Sequence, residues 1–190
     1  VLNTSQLKVN DTIAIIGLGG VGLSALMAAR AGGASRVIGI DINPSKLASA
    51  LDFGATEVFN AGDKDVVAKV KKATQGGVDI ALEAAGVPQA LELAFSITAA
   101  GGNTVAAGLP NPKREINISH FTLVAHERKL LGSYMGSCIP SRDIPRFIEM
   151  CTNGKLAIDQ LASNTVCLDE LNEAFDIMVE GSMLRNVLVL

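Results

Sequence analysis

The sequence predicts an α/β chain built on a doubly wound, six-stranded parallel sheet with a C-terminal helix and strand extension. Three observations predict it. Short β-branched runs alternate with longer alanine- and leucine-rich runs at helical spacing, the rhythm of repeated βαβ units. The runs IAIIG, VIGI and VDIALE fit the largely apolar, non-alternating pattern expected of strands covered on both faces. Glycine or proline marks the joins between runs.

Taken in order, strands are expected at residues 12–16, 37–41, 58–59, 78–83, 103–107 and 130–135, with helices at 21–31, 44–53, 64–74, 88–97 and 121–127. Asn43 followed by Pro44 reads as an N-cap with proline at the first helical position, and Gly32-Gly33 and Gly54 stop the helices before them. The rhythm changes near Pro140. An amphipathic helix at 144–151 follows the Ser141-Arg142-Asp143 turn, then a strand at 164–168, a helix at 169–180 and a strand at 186–190. In the last helix Leu171, Ala174, Phe175 and Met178 fall on one face. This divides the chain into a unit at 1–140 and an extension at 141–190, which either completes the parallel sheet or belongs with another domain.

Composition narrows the function classes. At 190 residues, 48% of them hydrophobic, the chain can bury a core without disulfide or metal staples. No apolar run approaches a bilayer span, so no membrane partner is expected. A net charge of −3, with only the short basic pairs Lys71-Lys72 and Lys113-Arg114, argues against nucleic acid. Cys138, Cys151 and Cys167 are odd in number, widely spaced and without a C-x-x-C, so neither a disulfide framework nor a zinc site is implied and a cytoplasmic location is expected. His120 and His126, six apart, do not share a helix face as metal ligands would. The opening VLNTSQLKVND has neither a charged-then-apolar leader nor an initiator methionine.

The strongest chemical signal is Gly17, Gly19 and Gly22, a G-x-G-x-x-G placed between an expected strand and an expected helix. Gly17 permits the tight turn, Gly19 lets backbone approach a pyrophosphate, and Gly22 lets the helix pack against the sheet, the arrangement of a Rossmann fold. Phosphates would meet the free N–H groups of Gly20, Val21 and Gly22 at the positive end of the helix dipole. Asp41 stands nineteen residues past Gly22 at the end of the second strand. A carboxylate there accepts from the ribose hydroxyls and repels a 2′-phosphate, so the expected cofactor is NAD rather than NADP. Lys46 is either a ribose-edge contact or a solvated lysine of the next helix. Ala84, Ala85 and Gly86 after Glu83, and Ala107, Gly108 and Leu109, stand where strands end; they either leave room for adenine and nicotinamide or form ordinary turns.

With GLGGVG, GASRVIGIDINPSKL, FGATEVFN, GGVDIALEAAG and the closing DELNEAFDIMVEGSMLRNVLVL in this order and spacing, the chain resembles the coenzyme-binding half and C-terminal tail of a zinc-type medium-chain alcohol dehydrogenase over nearly all its length. The resemblance implies that Val21 packs on the nicotinamide, Asp41 and Lys46 hold the adenosine ribose, and Ile42 flanks the adenine. It implies that Ala84, Ala85 and Gly86 line the groove, that the backbone at Ala107, Ser133 and Met135 meets the carboxamide, and that Arg185 reaches the pyrophosphate. It places the catalytic residues and the zinc ligands in a GroES-like domain before Val1, so no residue here is expected to be catalytic or to bind metal, and VLNT reads as a cut inside a longer protein. The implied activity of the parent protein is hydride transfer between NAD and a small alcohol or aldehyde, with zinc as Lewis acid, and this chain alone would bind NAD without turnover. Family dimers join at the edge strand, here residues 129–135. A non-zinc quinone or enoyl reductase of the same superfamily, which Asp41 disfavours, and a stand-alone NAD-sensing module are the other readings.

Overall fold

The structure is a computed structural model that describes residues 1–162, 164–180 and 185–189. Six parallel strands form the main sheet: β1 (Thr12–Ile16), β2 (Arg36–Asp41), β3 (Glu57–Asn60), β4 (Val78–Glu83), β5 (Thr98–Ala106) and β6 (Lys129–Gly132), in spatial order β3-β2-β1-β4-β5-β6. The order reverses between β1 and β4, the switch point where open parallel sheets receive ligands. Five helices accompany these strands: α1 (Gly20–Ala31), α2 (Pro44–Asp52), α3 (Val66–Ala73), α4 (Pro88–Ile97) and α5 (His120–Ala125).

Alternation along β1 divides the core in two. Ile13 and Ile15 face α1 and α2, meeting Leu23, Leu26, Leu47 and Ala50; Ala14 and Ile16 face α3 and α4, meeting Val66, Val70, Ala90 and Ala94. Both faces are covered, which is why the strands carry no polar alternation. Helix boundaries follow the local chemistry. The Asn43 side chain accepts from the Ser45 N–H at 2.9 Å ahead of Pro44, and Gly33 and Gly54 take positive φ after α1 and α2.

Two strands differ from expectation. β5 begins at Thr98 rather than Asn103, because Thr98 already pairs with Val78 before the register shifts and resumes at Ile80 with Asn103. β6 ends at Gly132 rather than at Met135. Met135, Gly136 and Ser137 all have positive φ, a conformation that cannot continue a pleated strand, and Tyr134–Ser137 forms a left-handed turn instead.

The extension does not complete the main sheet. After α6 (Pro140–Thr152), β7 (Asn164–Val166) and β8 (Asn186–Leu188) pair in parallel as a separate two-stranded sheet, with α7 (Leu171–Glu180) between them. Leu156 and Leu161 nevertheless pack into the α1 side of the core. On α7 Ala174 is buried, but Phe175 and Met178 are exposed, so the apolar face read from the sequence is only partly covered. Leu190, the last residue of an expected strand, lies outside the described residues. No helix among the described residues is long and apolar enough to cross a membrane.

The chain start is tied to α6 through Asp143, which is fully buried. Its Oδ2 accepts from the Ile139 N–H at 2.8 Å and from Asn3 Nδ2 at 3.1 Å, while Arg142 meets both oxygens. Arg142 first, then the Ile139 N–H, holds this carboxyl well below the usual carboxylate range. A depressed folded pKa means that the stabilisation is complete above about pH 4 and is lost as pH falls through the folded value. Asp143→Asn is expected to lower the melting temperature at neutral pH and to shrink its fall in acid. Thermal melts across pH check this, and a variant curve parallel to the parent's would contradict it.

Candidate functional site

The site lies at the C-terminal edge of the sheet, where β1, β2, β4 and β5 end. The Gly17 N–H donates to Ile40 O at 2.8 Å as the chain leaves β1, and φ of +90° there is open to glycine with little cost. A Cβ on Gly17 would lie 2.7 Å from the Ala85 N, and one on Gly22 would lie 1.8 Å from Gly17 O. These two glycines serve backbone packing. Gly19 is different: a Cβ there would meet nothing within 4 Å, so its surface opens onto free space. It caps α1 without a side-chain hydrogen bond, leaving the first-turn N–H groups of Gly20, Val21 and Gly22 without helical acceptors. Open space in front of such donors fits a pyrophosphate.

Asp41 is buried at the end of β2, at 9% exposure. Its Oδ2 accepts from the Leu18 N–H at 2.7 Å and its Oδ1 from the Asn43 N–H at 2.9 Å. Each oxygen retains a lone pair for an incoming hydroxyl. The carboxylate therefore does two jobs, bracing the glycine turn and presenting acceptors. Lys46 stands on the first turn of α2, half-buried, with no hydrogen bond or ion pair among the described residues.

At the neighbouring strand ends, Ala84, Ala85 and Gly86 follow β4, and Ala107, Gly108 and Leu109 follow β5. The two segments touch: a Cβ on Gly108 would lie 2.3 Å from the Gly86 N. Their organiser is Glu83, which the sequence reading placed at the strand end without a role of its own. It is 2% exposed, its Oε1 accepts from the Gly86 N–H, and its backbone carbonyl accepts from Ala107 and Gly108. The signal was present as the carboxylate that closes the strand run VDIALE.

Ser133 sits beside the end of β5, its N–H donating to Ala106 O at 2.8 Å while its hydroxyl pairs with Thr4 at 2.8 Å. Met135 follows in the left-handed turn. Val21, Ile42, Leu109 and Met135 are 65%, 74%, 79% and 79% exposed. Arg185 is exposed and directly precedes β8, in the small sheet rather than the large one.

A nicotinamide dinucleotide fits this edge. Among the described residues no group of three His, Cys, Asp or Glu lies close enough together to hold a metal ion, and Cys138, Cys151 and Cys167 form no disulfide.

Comparison with known proteins agrees with this geometry. The family model for zinc-binding dehydrogenases matches residues 20–153. Alcohol dehydrogenase 1 of Petunia hybrida is 38% identical over 97% of this chain and 49% of its own length. The crystal structure of benzyl alcohol dehydrogenase from Acinetobacter calcoaceticus superposes with a TM-score of 0.94 at 33% identity, over 98% of this chain and 51% of that one. A Sinorhizobium meliloti structure described as a zinc-binding dehydrogenase bound to NADP superposes at 0.83 with 27% identity, over 98% of this chain and 54% of that one. The chain thus spans about half the length of these relatives. With a β3-β2-β1-β4-β5-β6 sheet, a glycine turn opening α1 and these matches, the chain belongs to the zinc-binding dehydrogenase family and is its coenzyme-binding half.

Proposed function

We propose that the chain binds NAD and orients it for hydride transfer to and from a small alcohol or aldehyde, within the protein of which it forms the coenzyme half. The observation that carries the NAD reading is Asp41 at the end of β2, whose two oxygens are fixed by the Leu18 and Asn43 N–H groups. A fixed anion there accepts from a 2′-hydroxyl and repels a 2′-phosphate. Gly19 with the N–H groups of Gly20, Val21 and Gly22 would hold the pyrophosphate, joined by Arg185. Ile42 and Lys46 would bound the adenosine, and Val21, Ala107, Ser133 and Met135 the nicotinamide, with Ala84, Ala85, Gly86, Gly108 and Leu109 along the groove between. Bound NAD supplies a hydride acceptor, and its reduced form a hydride donor. The residues here bind and orient; zinc, and with it substrate polarisation, belongs in this reading to the parent protein's other domain, so this chain alone binds NAD without turning over alcohol.

The test is titration of the chain and of Asp41→Ala with NAD and NADP. The parent chain is expected to prefer NAD, and the variant to lose about tenfold or more of NAD affinity while closing the gap to NADP, as one or two charged hydrogen bonds disappear. An NAD preference that survives unchanged would refute the role of Asp41. The NADP-bound S. meliloti relative makes this discrimination the informative one.

We also propose that residues 141–190 act as an extension returning to the catalytic domain, since Ile144, Ile148 and Phe175 are left exposed at 50%, 60% and 57%. The three free cysteines support a reducing, cytoplasmic setting. A homodimer would form through β6, an edge strand with an unpaired side, using residues 129–132 rather than 129–135. Leu130→Pro, which removes an edge donor, should shift sedimentation from dimer to monomer; a parent chain that sediments as a monomer at all concentrations would refute the interface.

A further inference from the structure

A second candidate site lies away from the coenzyme edge. Arg128 directly precedes β6, at the N-terminal edge of the sheet, opposite the strand ends that carry Gly19 and Asp41. It is 7% exposed. Its Nη1 donates to Phe95 O at 2.7 Å and its guanidinium carbon lies 5.2 Å from the Phe95 ring centroid, but its buried Nε has no partner. No carboxylate among the described residues lies within ion-pair distance of it. Burial accordingly pulls its pKa below that of an ordinary arginine.

A guanidinium carries five N–H donors in a fixed fork, and burying that charge without an anion is expensive. Arginine lines a cleft of about 340 Å³ together with Lys71 of α3, Ser96 of α4, and Ser119 and His126 flanking α5. Ser119 Oγ already accepts from the Thr122 N–H, which leaves its hydroxyl proton to donate outward. Glu92 is the one carboxylate of the lining, and its Oε1 is engaged by the Asn117 N–H at 2.8 Å. The cleft thus sets two cations, hydroxyl donors and an unmet buried N–H against the single carboxylate of Glu92.

We propose that this cleft binds a phosphate group, with Arg128 as its central donor and Lys71, Ser96 and Ser119 completing the shell. Planar guanidinium forks and hydroxyls suit a tetrahedral oxyanion, and the volume leaves room for a small molecule attached to it. Phosphate would supply both the missing counter-charge and the acceptor for Nε. The site is independent of the coenzyme reading, since it shares no residue with it.

The experiment is a ¹⁵N-resolved NMR titration of the 190-residue chain with inorganic phosphate, and in parallel with glycerol 3-phosphate, each against sodium chloride and sodium acetate at equal ionic strength. Saturable shifts are expected at Ser96, Ser119 and Arg128 Nε–H with the phosphates and not with chloride or acetate. Arg128→Lys should weaken binding about tenfold or more, the loss of one charged hydrogen bond. Lys71→Gln, on the half-exposed rim, should weaken it severalfold and serves as the test if the Arg128 variant does not fold. Tighter binding of the ester than of inorganic phosphate identifies a phosphorylated small molecule as the ligand, and equal binding identifies the free ion. Shifts shared by chloride or acetate, shifts confined to the Gly19–Gly22 amides, or affinity unchanged in Lys71→Gln would each overturn the proposal.

Discussion

Gly22→Ala is expected to lower the melting temperature by about 6–12 °C, although alanine is the better helix former by about 1 kcal/mol. Gly22 lies in the first turn of α1, and a Cβ there would sit 1.8 Å from Gly17 O and 2.9 Å from its carbonyl carbon. Neither atom can retreat. The Gly17 N–H is bonded to Ile40 O, and the same turn is braced by Asp41 through the Leu18 N–H. Overpacking against fixed backbone costs about 3 kcal/mol, and for a chain of this size each kcal/mol moves the midpoint by about 2–4 °C. A thermal melt decides it. A midpoint raised by the helix-propensity gain would show that α1 does not pack on the turn in this way.

Gly19→Val is expected to do the opposite, leaving the melting temperature within about 2 °C and reducing NAD affinity by about a hundredfold or more. The backbone at Gly19, with φ −78° and ψ −169°, is extended and suits a β-branched residue, and a Cβ there meets no protein atom within 4 Å. The space it would fill is the space the pyrophosphate needs. Displacing the phosphates from the first-turn N–H groups forfeits at least two charge-assisted hydrogen bonds, about 1.5–3 kcal/mol each. Calorimetric titration beside a melt separates the two outcomes. Full NAD affinity in the valine variant would mean that the cofactor does not lie on the α1 terminus. Taken together, the pair distinguishes a glycine kept for packing from one kept for a ligand.

Much of this was legible before any coordinates. The six strands, the glycine turn, the Asn43 cap and the acid closing β2 all depend on interactions within a few residues or on a burial pattern written along the strand, so local sequence carries them. Gly17 turns the chain out of β1 at positive φ, Gly22 lies where a Cβ would strike that turn, and Gly19 stands open. Where the reading failed, the cause was a backbone turn that the residue pattern conceals or a contact between distant residues. The end of β6 is set by positive φ at Met135, Gly136 and Ser137, and the β-rich look of LLGSYM conceals that turn. The start of β5 is set by pairing with Val78 across a register shift, which no feature of TAAGG announces. Glu83 looked like one more strand residue until Gly86, Ala107 and Gly108 converged on it.

By itself the sequence determined the alternation of strands and helices, the identity of the dinucleotide turn and the family, because these rest on short-range periodicity and on residue types at fixed spacing. Only the tertiary structure decided that β7 and β8 form their own sheet, that Asp41 braces the turn it serves, and that Arg128 is buried without a counter-charge beside a cleft. Pairing partners and charge environments are made by residues far apart in the chain, and one-dimensional patterns carry no measure of which of them meet.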